Sequence, residues 1–371
     1  MAGVMAGVMA RVMASAMATV VVTMVAVPVN ATETDHSQHA GHDMGAHAGA
    51  AAHIHHQHER GTWMFEYRYM HMSMDGLLDG TDSVDTQDIS GALPGMTPIK
   101  DPAKDYMMAP TAMTMDMHML MAMYGLTDRV SLMFMGSYLR NEMDMVMHMP
   151  MMDMVGTMET SGFGDILFGA MDSISDTWTA SLSLSIPTGG IDEHDTVTMQ
   201  GINPMTQMPM SNTNDIKAGY PMQLGTGTWD LIPSLTYTDS ADKFGWGLQA
   251  SYRWHLGTND NGYTWGNVLK AIGWGKYVFT PKLLGVSKLT VTDQRRIDGQ
   301  DPELNPNRSP VTDPTATGGT RVDLSIGLNG FFGQQLNHVL GVEFGIPVYQ
   351  DLNGPQMETD WILSLSYQLV L

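Results

Sequence analysis

The 371-residue chain has no cysteine. That excludes a disulfide framework and any thiolate metal site. Basic residues are scarce: 18 Lys and Arg stand against 39 Asp and Glu, for a net charge of -21. The Lys/Arg surface that displaces counterions from nucleic acid is missing, so nucleic acid is not an expected partner. After residue 30 no apolar run reaches the ~18 residues of a membrane helix, which excludes a helical span from the mature chain. A β-barrel escapes that exclusion. Its strands alternate lipid-facing and lumen-facing residues, so mean hydropathy, here -0.11, stays near zero. The sequence also lacks a nucleophile elbow, a phosphate loop and an HExxH motif. No enzymatic activity is expected.

The front of the chain reads as three kinds of segment. Residues 1–31 fit a secretory signal: Arg11 is its charge, Val12 to Val27 form an apolar stretch, and Val29-Asn30-Ala31 fits a small-residue cleavage site. Residues 32–61 are a low-complexity tract in which Ala and Gly separate His36, His39, His42, His47, His53, His55, His56 and His58. Such a composition builds no core, so disorder is expected. Closely spaced imidazoles on a flexible chain can wrap Cu(II), Zn(II) or Ni(II), with no geometry to choose among them. Residues 62–371 remain for the folded domain.

From Trp63 onward the apolar period is two, the period of a strand. In Phe244–Leu256 one face carries Phe244, Trp246, Leu248, Ala250, Tyr252, Trp254 and Leu256, and the other Gly245, Gly247, Gln249, Ser251, Arg253 and His255. Trp178–Ile186 and Trp361–Leu371 repeat the pattern. Strands of this length cross a bilayer when tilted, and aromatics at the ends of apolar faces fit an interface girdle. Twelve strands are expected, near 62–74, 112–124, 130–142, 161–172, 177–187, 225–238, 243–256, 263–279, 282–296, 319–331, 337–349 and 359–371. The segments at 263–279 and 282–296 alternate poorly. Short connections (125–129, 173–176, 239–242, 280–281, 332–336) alternate strictly with longer ones (75–111, 143–160, 188–224, 257–262, 297–318, 350–358). This is the asymmetry of periplasmic turns and outer loops in a closed antiparallel barrel of the outer membrane, with both ends of the mature chain on the periplasmic side. Expected partners are outer-membrane lipid, the barrel-assembly machinery, and a metal ion or small-molecule cargo.

Three short words along the barrel, Ser161-Gly162-Phe163-Gly164-Asp165, Ile186-Pro187-Thr188-Gly189 and Gly225-Thr226-Gly227-Thr228-Trp229-Asp230, resemble the outer-membrane channel family labelled MetA-pathway of phenol degradation. Many members of that family are simply called transporters. The resemblance spans roughly residues 105–371, and it implies a barrel passing small aromatic compounds. The leader, with Asp35-His36-Ser37 and Gly41-His42-Asp43-Met44, resembles the His/Met/Asp-rich leader of outer-membrane copper-resistance proteins.

Methionine is the excess: 37 residues, 18 of them between Met107 and Met158. Thioether sulfur is a soft, neutral ligand suited to Cu(I) and Ag(I). Met143, Met145, Met147, Met149, Met151, Met152, Met154 and Met158 fall in the expected outer loop 143–160 with Asp144, His148 and Asp153. The loop 188–224 adds Met199, Met205, Met208, Met210, Met222 and His194. In the first strand Trp63, Phe65, Tyr67 and Tyr69 favour lipid, which turns Met64, Glu66, Arg68, Met70, Met72 and Met74 inward. In the third, Met133 and Met135 share a face with Ser131, Ser137 and Asn141. The second has six methionines on one face, Met113 to Met123, and Asp116 and His118 on the other. An acid on the lipid face is costly near the midplane, so Asp116 and His118 are expected inward and the six methionines outward. Two functions follow. One is a channel or binding protein for copper or silver, using loop methionines and His148, with Met72, Met74, Met133, Met135 and His118 as an inner patch. The other is a passive channel for small aromatic or apolar compounds, in which Met is a pliable apolar lining. Asp165, Asp230, Arg253, His255, Arg321, Asp323 and Glu343 are expected to form an ion-paired network inside the barrel.

Overall fold

The structure, a computed structural model, describes residues 60–90, 106–149 and 152–371. The expected signal segment, the eight leader histidines and Met151 lie outside the described residues.

Strands account for almost all of it: β1 (Trp63–Gly80), β2 (Asp82–Val84), β3 (Ala109–Gly125), β4 (Val130–Met149), β5 (Met152–Phe163), β6 (Ile166–Ser173), β7 (Trp178–Ile186), β8 (His194–Ile202), β9 (Pro209–Lys217), β10 (Trp229–Ala241), β11 (Phe244–Leu256), β12 (Tyr263–Thr264), β13 (Val268–Thr280), β14 (Leu283–Gln294), β15 (Asp298–Gly299), β16 (Gly319–Phe332) and β17 (His338–Val370). One helical turn, α1 (Thr86–Ile89), and two 3-10 turns, Tyr220–Met222 and Pro310–Thr312, interrupt them.

Eleven of these strands close a ring in the order β1, β3, β4, β6, β7, β10, β11, β13, β14, β16, β17, every neighbour antiparallel. The last of them folds back on itself. Its first arm, from His338 to Leu352, pairs with β16, and its second arm returns along β1 to Val370. Asn337 and Val370 tie the two arms at their base. The eleven strands therefore make the twelve passes that the alternation predicts.

Alternation sets the two faces. Trp63, Phe65 and Tyr67 are exposed on β1, whereas Met64, Glu66 and Arg68 between them are buried. On β11 Trp246, Leu248, Trp254 and Leu256 point outward, and Gln249 and His255 inward. Aromatic pairs ring the short-turn end: Trp63 with Tyr124, Trp178 with Tyr237, Tyr237 with Trp246, and Tyr277 with Phe279. Their amphipathic rings suit the membrane–water boundary.

Several expected boundaries shift. The expected outer loop 143–160 is a β-hairpin, in which β4 runs on past the ring and pairs with β5 from Tyr138↔Phe163 to Met149↔Met152. The loop 188–224 likewise contains the β8–β9 hairpin, joined to β5 at Val155↔Gln200. Residues 350–358 belong to the continuous β17. The expected strand 161–172 is broken at Gly164 and Asp165, where β5 ends and β6 begins. The expected strands at 225–238 and 263–279 begin later, at Trp229 and Val268.

Candidate functional site

One wall of the lumen is built of thioethers. The register of β1 on β3 sets Met64 beside Met123, Met70 beside Met117, Met72 beside Met115 and Met74 beside Met113. The register of β3 on β4 continues the rows: Met123 beside Met133, Met121 beside Met135 and Met113 beside Met143. Met143 then faces Met158 on β5, and Met147 faces Met154. Cross-strand neighbours on one face lie roughly 5 Å apart at Cβ, so these side chains touch. Two apolar clusters result. At the short-turn end Met64, Met123, Met133 and Met171 are buried together. At the long-loop end Met108, Met113, Met143, Met145, Met154, Met158, Met199 and Met222 form a second.

This arrangement corrects the facing expected for β3. Its six methionines point inward, and Asp116 and His118 point outward. The midplane penalty does not apply at the depth of Asp116. Asp116 is eight residues along β3 from the girdle residue Tyr124, which at ~3.4 Å per residue and a tilt of ~40° is roughly 20 Å along the membrane normal. Asp116 therefore sits at the far rim of the apolar belt, where it accepts hydrogen bonds from Tyr69 Oη at 2.5 Å and from His71 Nδ1 at 2.8 Å. His118 Nδ1 lies 2.8 Å from Tyr67 Oη on the same outer surface. His118 is thus removed from the inner patch, whereas Met72, Met74, Met133 and Met135 remain in it.

The expected loop ligands are also relocated. Met143, Met145, Met154 and Met158 are 0–4% exposed, within a packed core and not on an open loop. Met147, Met149 and Met152 pack against that core at its edge. His148 points to the other face, with Nδ1 2.8 Å from Asp153 and Nε2 3.0 Å from Thr86 Oγ1. Met199 and Met222 are buried in the same core, and Met205, Met208 and Met210 stand exposed at the β8–β9 tip.

The opposite wall is charged. In a ring of twelve passes, β13 stands six places from β3. Arg253 of β11 lies 3.7 Å from Asp230, Lys288 of β14 lies 2.5 Å from Glu343, and Arg321 of β16 lies 3.0 Å from Asp323. His255 Nδ1 is 2.8 Å from Asp230. On the first wall Arg68 pairs with Glu66 at 2.6 Å. Lys270 and Lys288 were not among the expected lumen charges. Their strands invert the usual pattern: small residues, Ala271, Gly273 and Gly275, occupy the lipid side. Trp274, Leu284, Val286, Phe331 and Val339 instead fill the inside at the short-turn end.

Asp165 draws the three family-like words together. One carboxylate oxygen accepts from the Gly189 amide at 2.9 Å, and the other from the amide and hydroxyl of Thr226 at 3.0 and 3.1 Å. Thr188 Oγ1 donates to the Gly164 carbonyl at 3.0 Å. Asp165 thus holds a backbone junction where β5 leaves the ring. It is not part of a lumen ion-pair network.

Long connections pack over the long-loop end. Lys217, 5% exposed, sits among Asp192, Asp301 at 2.9 Å and Glu303 at 3.3 Å. Burial alone would lower its pKa, but Asp192, Asp301 and Glu303 outweigh burial and raise it. Among the described residues, Asp192, His194 and Glu303 form the one convergence of metal-ligand groups. The Lys217 ammonium pairs with both carboxylates as well as with Asp301, so this cluster acts as an ion-paired clamp between loops.

Comparison with known proteins fits this architecture. The family model described as "Putative MetA-pathway of phenol degradation" matches residues 113–317. No curated protein sequence matches the chain. A solved outer-membrane channel of the COG4313 group from Pseudomonas putida F1 is 15% identical, with 86% of this chain and 99% of that one covered and a TM-score of 0.54. A deltaS2S3 mutant of TodX, described as a monoaromatic hydrocarbon channel, is 8% identical, with 84% and 91% covered and a TM-score of 0.50. These likenesses establish the barrel fold. With more than half its length matched by the family model, the chain belongs to the MetA-pathway of phenol degradation family and is folded as an outer-membrane β-barrel.

Proposed function

We propose that this barrel is a passive channel that admits small aromatic or apolar molecules across the outer membrane, with its short-turn end toward the periplasm. The observation that carries this reading is the inward methionine face, continuous on β3 from Met113 to Met123 and extended at its two ends by Met64 and Met133 and by Met74, Met143 and Met158 on the neighbouring strands. Methionine is apolar, flexible and polarisable, and each sulfur–aromatic contact contributes about 0.3–1.5 kcal/mol. Many weak, equivalent contacts let a cargo enter and leave again, which conduction requires. The name of the TodX relative supports the same cargo class. Transport, and not catalysis, is the work such a lining does. The test is uptake of labelled toluene by cells whose own aromatic channels have been deleted. Expression of the full chain should raise the initial rate, and an unchanged rate would remove the reading.

A second reading is favoured by one row. Met74, Met113, Met143 and Met158 stand side by side on four strands, and four neutral thioethers form a suitable set for Cu(I) or Ag(I). In that reading the row, with Met72, Met145 and Met154 around it, holds a soft cation, and the leader histidines supply a separate site for harder oxidation states.

A further inference from the structure

We infer that the cargo carries a carboxylate, and that Lys270 and the hydroxyl row on either side of it receive that group while the thioether wall holds the apolar part. This rests on the channel reading above. The registers place Ser181, Ser234, Ser251, Lys270, Thr292 and Arg321 in one row across β7, β10, β11, β13, β14 and β16, all on the inner face.

Three features of the row point to an anion. First, each of the other cations facing Lys270 already has a carboxylate of its own: Arg253 has Asp230, Lys288 has Glu343 and Arg321 has Asp323. Lys270 has no ion pair or hydrogen bond among the described residues, and its side chain is exposed to the lumen. Among these four lumen cations one positive charge is thus left open, in a chain of net charge -21. Second, the Thr292 hydroxyl beside Lys270 in the row is enclosed and has no hydrogen-bond partner. Third, Ser181 and Ser234 are paired at 2.5 Å, which leaves Ser251 as the hydroxyl next to Lys270 on the other side.

An ammonium flanked by two hydroxyls is a donor set for a carboxylate, because charge-assisted hydrogen bonds are short and strong. Lys270 lies two residues inside the long-loop end of β13, and Met113 lies near the same end of β3 on the facing wall. A molecule with a carboxylate on one side and a ring on the other meets both walls at once. A neutral hydrocarbon uses only the methionine wall.

The experiment measures flux of labelled benzoate and labelled toluene into outer-membrane vesicles containing the full chain, at a pH where benzoate is ionised. Lys270→Gln should slow benzoate about tenfold, the loss expected for a hydrogen bond to a charged group, with toluene flux unchanged. Lys270→Arg should retain most of the benzoate flux, which separates charge from packing. Equal benzoate flux in wild type and Lys270→Gln overturns the inference while toluene flux keeps the channel reading intact. Parallel loss of both cargoes in Lys270→Gln also overturns it, because that is the signature of a damaged barrel. If neither cargo crosses faster than in vesicles without the chain, the channel reading itself falls and takes the inference with it.

Discussion

Lys217 Nζ lies 2.9 Å from Asp301, with both side chains almost fully enclosed, and this contact joins the end of β9 to the long connection between β14 and β16. Removing one member of a buried pair strands the other charge and costs about 3–5 kcal/mol. Lys217→Met is therefore expected to loosen the cap at the long-loop end while the barrel below stays closed. Limited proteolysis should cut faster within 297–317, and the heat-modifiable gel shift of the folded barrel should persist. Unchanged cleavage would show that the clamp is dispensable.

The same clamp predicts a pH range. Asp192 is held below the usual carboxylate range by its hydrogen bond from Lys217, and Lys217 is held above the usual lysine value. A lowered carboxylate pKa contributes stability above its unfolded value and loses it as pH falls through the folded one. A raised lysine pKa contributes below its unfolded value and loses it as pH rises through the folded one. The cap should resist protease across the neutral range and yield only in strong acid or strong base. Opening near neutrality would contradict this.

The absence of cysteine makes the facing of β3 directly testable. Single substitutions Met117→Cys and Leu120→Cys place one thiol on each side of the strand. Met117→Cys should react with a membrane-impermeant maleimide through the lumen. Leu120→Cys should be shielded by lipid and become reactive only in detergent. The reverse pattern would restore the outward-methionine arrangement.

Gly189 packs directly on Gly225: a Cβ at Gly189 would lie 2.7 Å from the Gly225 Cα and 2.6 Å from the Leu224 carbonyl oxygen. Both obstacles are backbone and have little freedom to move. Gly189→Ala should cost about 1–3 kcal/mol by overpacking, and the loss should appear as a lower urea midpoint for the folded barrel. A neutral substitution would mean that the backbone at the Asp165 junction can yield to admit the extra methyl group.

Met143 separates packing from ligation. Met143→Leu keeps volume and should cost less than ~1.5 kcal/mol, whereas Met143→Ala opens a cavity and should cost about 2–5 kcal/mol. If the row Met74–Met113–Met143–Met158 binds soft cations, titration of the full chain with Ag(I) should show one tight site fewer in Met143→Leu. Identical titrations would leave the row as packing alone.

Much of the barrel is legible in the sequence because its clearest strands have water on one side and lipid on the other. Phe244–Leu256 alternates without a break, and its structure follows suit. The pattern fails where the inside is not wet. Around Trp274 and Val286 the lumen is filled with apolar side chains while small residues face lipid, so the alternation is lost and Lys270 and Lys288 on the same strands pass unnoticed. The facing of β3 departs from the expected one for a different reason. The penalty on a lipid-facing acid holds at the membrane midplane, and Asp116 lies at the rim beside Tyr69 and His71. The hairpin at 143–160 did leave a signal. Met143, Met145 and Met147 alternate with Glu142, Asp144 and His148, which is strand periodicity, although so many thioethers beside a histidine and two acids also fit a ligand-bearing loop. The Asp165 junction was visible only as three separate words, since their convergence is a product of the fold.

The ring closes between its earliest and latest passes, with Met64 beside Val370 and Tyr67 beside Tyr367. No subset of the intervening strands can form a sealed wall, because each incomplete sheet has two open edges with unpaired backbone that lipid cannot satisfy. The wall is therefore sealed only where the first and last passes meet, and that seam is what turns a curled sheet into an aperture.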